Sequence, residues 1–130
     1  MDWTRNYVSG NTAVQVRFRE PRTNVRLAVY YGRGEHTVMT DYSVNMSVGG
    51  IFLETENVLP VDSTLVVEFR LPVNDRGIRC RSRVAWTNEP ESRKTPSLPT
   101  GMGLQFLDLR LEDMNVIRNY IEEVGLKPAW

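Results

Sequence analysis

Cysteine occurs once in the 130 residues, at Cys80, so an internal disulfide is impossible and a thiolate zinc site has too few ligands. A reducing compartment is the expectation, and with it a cytoplasmic location. No apolar run approaches the roughly 18 residues of a spanning helix, and the start of the chain lacks the basic-then-apolar order of a secretory signal. Membrane insertion is therefore not expected. Nor is charge of one sign in excess: sixteen basic residues balance sixteen acidic ones, so no global field gathers DNA, RNA or an anionic membrane. Histidine is as scarce as cysteine. His36 stands in a β-prone stretch without a Gly-x-Ser-x-Gly elbow, and the acidic pairs Asp62 with Glu68 and Glu122 with Glu123 fall in turns or on the polar side of a helix. No nucleophile, base and orienter come together, and no glycine loop carries the lysine of a phosphate-binding turn, so neither an enzyme nor a resident cofactor is expected.

Arginine is what the chain has in quantity. Fourteen of the sixteen basic residues are arginine, with only Lys94 and Lys127 as lysine, which favours planar, bidentate or stacking contacts over point charges. Six of them (Arg5, Arg17, Arg19, Arg22, Arg26, Arg33) lie in the first 40 residues against Asp2, Glu20 and Glu35, so an anion site belongs there first.

Residues 1–16 read as an arm, 17–124 as one domain and 125–130 as a tail. The first 24 residues show no sustained period. From Val25 the pattern alternates, with Val25, Leu27, Val29 and Tyr31 on one side and Arg26, Ala28 and Tyr30 on the other, which predicts a half-buried strand. Thr37, Val38, Thr40 and Tyr42 predict a second strand over 36–43, closing a hairpin through Gly32–Gly34. Ile51, Phe52 and Leu53 resume the pattern, as do Leu65, Val67 and Phe69. After Asn74–Gly77, Ile78, Cys80, Ser82, Val84 and Trp86 share one predicted face and Arg79, Arg81 and Arg83 the other, where they either extend an anion surface or blunt an exposed strand. Pro90, Pro96 and Pro99 make 88–100 a loop, and Gly101–Phe106 is one more strand. Met114, Ile117, Tyr120, Ile121 and Val124 then fall at helical steps, with Glu112 and Asp113 in the first turn and Gly125 at the end. Six short antiparallel strands and one C-terminal helix predict an all-β barrel with the helix over one end. Met102, Met114 and Trp86 read as packing residues.

The stretch Asn45-Met46-Ser47-Val48-Gly49-Gly50 carries the most chemistry. Side-chain oxygens at Asn45 and Ser47, followed by two glycines, can turn the backbone and offer amides, carbonyls and a hydroxyl to a planar or phosphorylated ligand. Taken alone, it is also an ordinary polar turn before a strand.

Asn45-x-Ser47-x-x-Gly50 followed by Ile51-Phe52-Leu53 resembles the (Asp/Asn)-x-Ser-x-x-Gly motif of the PilZ domain family. The arginine-rich arm running into the first strand, Val84-Ala85-Trp86, and Gly101–Asp108 before the helix fit in order and spacing, over about residues 17–124. The resemblance implies a six-stranded PilZ-type barrel, and many members bind the second messenger cyclic di-GMP. It would place Arg19, Arg22, Arg26, Asn45, Ser47, Gly49 and Gly50 at the ligand, arginines clasping phosphate and stacking on guanine while the motif supplies directional hydrogen bonds. The family's Arg-x-x-x-Arg is displaced here: four residues before Arg22 stands Phe18, flanked by Arg17 and Arg19. The literal spacing belongs to Arg22 and Arg26, but Arg26 lies in the predicted first strand.

Three functions follow as expectations. The first is a cyclic di-GMP receptor that relays messenger level to an effector protein controlling motility, pili or surface attachment. The second is a degenerate member that has lost the nucleotide and acts as a protein-protein adaptor. The third, an oligonucleotide-binding barrel, is opposed by the neutral charge.

Overall fold

The computed structural model describes residues 22–34, 36–72 and 76–125. The expected arm, Arg17, Phe18, Arg19 and residues 126–130 of the tail lie outside the described residues. The elements run β1 (Thr23–Asn24), β2 (Ala28–Gly32), β3 (Met39–Ser47), β4 (Gly50–Glu54), β5 (Thr64–Leu71), β6 (Arg76–Asn88), β7 (Gly101–Phe106) and α1 (Leu111–Gly125). All pairings are antiparallel, in the order β2-β5-β6-β7-β4-β3, and β3 returns to β2 to close a six-stranded barrel. Closure removes the open edges that short strands otherwise expose.

Alternation set the inner wall. Val29, Tyr31, Met46, Ile51, Leu53, Leu65, Val67, Phe69, Ile78, Val84, Met102, Leu104 and Phe106 form one buried cluster. The helix lies against β3 and β1 and adds Ile117, Tyr120 and Ile121 to that cluster, with Met114 packed beside it. Its first turn is tied to the sheet, since Arg76 donates from Nε and Nη2 to Asp113 Oδ1 at 3.0 and 2.8 Å. The positive helix terminus and the charge-assisted bonds from Arg76 both offset the cost of burying that carboxylate.

Three departures from simple alternation shape the outer surface. The predicted first strand is interrupted: residues 25–27 fall outside the ladders, although the Val25 amide still donates to the Val44 carbonyl and the Leu27 carbonyl accepts from the Ser43 amide, and β1 is left as a separate two-residue ladder on β3. Ser43 bridges this gap, its hydroxyl donating to the Val25 carbonyl and accepting from the Leu27 amide. The second strand spans 39–47 rather than 36–43, and Val44 is an extra residue in it, because Ser43 pairs with Leu53 but Asn45 with Phe52. Ala85 is likewise extra in β6, where Val84 pairs with Leu104 but Trp86 with Gly103. A bulge moves every following side chain to the opposite face. Trp86 therefore does not share the face of Ile78, Cys80, Ser82 and Val84 as the alternation predicted. It leaves the central cluster and packs outside against Phe52, ring centroids 5.2 Å apart.

Candidate functional site

The Val44 bulge has the same effect on the motif. Without it, Asn45 would follow Ser43 toward the inner wall; with it, Met46 points in and Asn45 and Ser47 point out. The motif is thus the outer end of β3 and a tight return at Val48-Gly49, not a free polar turn. Gly49 serves the return itself: its amide donates to Ser47 Oγ at 3.1 Å and its carbonyl accepts from the Phe106 amide at 3.0 Å.

Arg22 reaches this outer end because β1 pairs Thr23 with Met46 and Asn24 with Asn45, so the residue before Thr23 falls opposite Ser47. Its guanidinium donates from Nε to Asn45 Oδ1 at 2.8 Å, from Nη1 to Ser47 Oγ at 3.1 Å and from Nη2 to the Gly50 carbonyl at 3.4 Å. The arginine of the arm and all three consensus positions of the motif therefore form one cluster. Burial pulls the guanidinium down to about 10, so it remains charged at neutral pH while losing hydration. A desolvated cation fixed by directional bonds is suited to receive an anion.

Arg26 is not part of that cluster. It is exposed, its guanidinium 4.5 Å from the Tyr42 ring centroid and 3.5 Å from Glu54 Oε1. A cleft of about 550 Å³ opens beside it, between Asn24, Val44 and Glu54 on the barrel and Ser97–Pro99 of the long loop. Asn88 holds that loop, its Nδ2 donating to the carbonyls of Thr95, Leu98 and Pro99. The outward arginines of β6 are each engaged by a carboxylate: Arg79 with Glu68 at 3.2 Å, Arg81 with Asp108 at 2.9 Å, Arg83 with Asp62 at 2.5 Å. They serve as cross-strand ties.

Gln105 on the outer surface escaped the sequence reading, and Trp86, read there as a packing residue of the inner face, stands on the outside beside it. Gln105 lies beside Gly50 in the β4–β7 register, and Trp86 lies across Gly103. Both are buried, and Gln105 Nε2 and Trp86 Nε1 have no hydrogen-bond partner among the described residues. Alternation from Leu104 and Phe106 would have placed Gln105 outside, but only the register sets it next to the motif. Among the described residues no group of three metal-ligating side chains comes together, and no helix is long and apolar enough to cross a membrane.

Comparison with known proteins bears on the family and the fold. The PilZ domain family profile matches residues 15–123. No curated protein matches the chain. A solved Bacillus subtilis inhibitor of motility (MotI/DgrA) is similar with a TM-score of 0.71 and 23% identity, over 88% of this chain and 54% of that one. The chain thus spans about half the length of that relative. The PilZ domain of CeSA from a cellulose-synthesizing bacterium is similar with a TM-score of 0.54 and 12% identity, over 81% of this chain and 98% of that one. At these identities both structures speak for the fold.

Proposed function

The chain belongs to the PilZ domain family, and we propose that it is a cyclic di-GMP receptor in which Arg22, Asn45, Ser47 and Gly50 hold the nucleotide. The observation that carries this reading is the clustering itself. Arg22 is joined to Asn45, Ser47 and Gly50 although 23 to 28 residues separate them in sequence. Ordering a long side chain in this way costs rotamer entropy before any ligand arrives. A phosphate placed against the guanidinium would restore the solvation that burial removed, and the charge-assisted bonds would be stronger than those to neutral oxygens. The motif hydroxyl and backbone then supply direction, and the arm, with Arg19 and Arg17, supplies further cations. Arg26 stands with Tyr42 at the neighbouring cleft, where a guanidinium over an aromatic ring can flank a planar base.

The output is carried to an effector protein in motility, pili or surface attachment. The likeness to the Bacillus subtilis inhibitor of motility supports the first of these. Phe18 at the position of the family's first arginine favours the second reading, a degenerate adaptor that binds protein alone. Calorimetric titration with cyclic di-GMP, with GMP as control, separates the two. Saturable binding in the wild type and a loss of at least tenfold in affinity in Arg22→Ala is the expected result; a barrel that melts normally and takes up no cyclic di-GMP leaves the adaptor.

A further inference from the structure

One cross-strand row crosses the outer surface of the barrel. Ser47 pairs with Gly50, Gly50 with Gln105, Gln105 with Arg83 and Arg83 with Thr64, while Arg22 stands at the head of the row on Ser47. With neighbouring strands about 4.8 Å apart, Gln105 lies roughly 10 Å from Ser47, two strand steps along the surface. The row thus extends the Arg22 cluster in one direction.

Gln105 is an unusual occupant of it. The residue is 1% exposed, and Oε1 accepts from both Nε and Nη2 of Arg83, at 3.1 and 2.9 Å. Arg83 is held in turn by Asp62 through Nη1. Asp62 takes a left-handed φ of 76° that an aspartate tolerates, and its amide donates to the Val84 carbonyl at 2.8 Å. A guanidinium only donates, so the oxygen end of the amide must face Arg83 and the nitrogen end must face away. That nitrogen is buried and has no partner among the described residues. A buried amide N–H left unpaired is costly, which marks this one as a donor in want of an acceptor.

The clamp changes what the amide can recognise. A mobile glutamine presents a donor and an acceptor together and can read adenine through N6 and N7. One whose oxygen is occupied presents a donor alone. Guanine offers two acceptors, O6 and N7, on the edge where adenine offers a donor beside an acceptor. From this we infer that Gln105 selects guanine over adenine in the bound cyclic dinucleotide, its Nε2 donating to the O6 and N7 edge, with Arg83 and Asp62 as positioning residues. This rests on the receptor reading of the Arg22 cluster.

The test titrates the full chain with cyclic di-GMP and cyclic di-AMP in parallel. The wild type is expected to prefer the guanine form, and Gln105→Ala to reduce that preference at least tenfold. Gln105→Glu keeps an acceptor for Arg83, so it should melt at or above the wild-type temperature while losing cyclic di-GMP. Arg83→Met frees the amide to turn, so its preference should fall partly through tighter cyclic di-AMP binding; a purely structural role would weaken both ligands alike. An unchanged guanine preference in folded Gln105→Ala and Gln105→Glu overturns the inference. If Arg22→Ala still abolishes binding in that case, the receptor reading survives; a wild type that binds neither dinucleotide ends both.

Discussion

At the scale of single residues, the outer surface is governed by close approaches that tolerate only one side-chain size. A Cβ at Gly103 would lie 2.1 Å from Trp86 Nε1 and 2.6 Å from its Cδ1, inside any allowed contact. Trp86 is rigid and already backed by Phe52, so it cannot move aside cheaply. Gly103→Ala should therefore cost about 1–3 kcal/mol by overpacking, read as a lower denaturant midpoint with an unchanged slope. A midpoint equal to the wild type would mean that Trp86 has somewhere else to go. Arg22 belongs to this scale too. Its charge, half hidden and fixed to three oxygens, is the reason a single alanine should weaken the proposed ligand binding without unfolding a barrel whose buried cluster is built from other residues.

At the scale of elements, carboxylates tie the strands and the helix to one another. Asp108, just past β7, accepts the Arg81 amide at 2.7 Å and Arg81 Nε at 2.9 Å, joining the end of β7 to the middle of β6. Partial burial works to raise its pKa, but the side-chain and backbone bonds from Arg81 outweigh it and hold the group below the ordinary aspartate value of 3.8. A carboxylate depressed in the folded state contributes stability above its unfolded pKa and loses it as pH falls through the folded one. Asp108→Asn should accordingly be less stable than the wild type at pH 6, by about 0.5–1 kcal/mol given the exposure of the pair. The gap should narrow as pH falls through the folded-state pKa and the wild-type carboxyl itself takes up a proton. Denaturation at several pH values checks this; a gap independent of pH would show that shape rather than charge makes the tie.

At the scale of the whole molecule, closure makes the inner wall inaccessible in one cooperative step. Cys80 lies on that wall, and burial pushes its thiol up to about 12. A protonated, enclosed thiol is a poor nucleophile. A disulfide reagent at pH 8 should therefore label Cys80 only as fast as the barrel opens; on the proposed receptor reading, saturating cyclic di-GMP should slow labelling further, as any ligand held by the closed form alone would. Labelling at the rate of an unfolded control would show that β6 opens locally instead.

Most of the barrel was legible in one dimension, because a strand with one face in an apolar interior must alternate and a helix must repeat near 3.6. Leu65, Val67 and Phe69, Ile78 to Val84, and the helix from Met114 to Val124 declared themselves in this way. The motif residues and Arg22 were legible as chemistry, through oxygen-bearing side chains before paired glycines and a guanidinium nearby. What the linear order could not determine is which way they face. Asn45 points outward because of Val44, and Trp86 because of Ala85, and an extra residue in a ladder has no composition of its own. Likewise no local pattern joins Gln105 to Gly50 or Arg83 to Gln105, since register between distant strands is decided by how all six close into one barrel. Sequence by itself determined the elements and the reactive groups; tertiary structure alone decided their faces and neighbours, because those depend on contacts made only once the ring is shut.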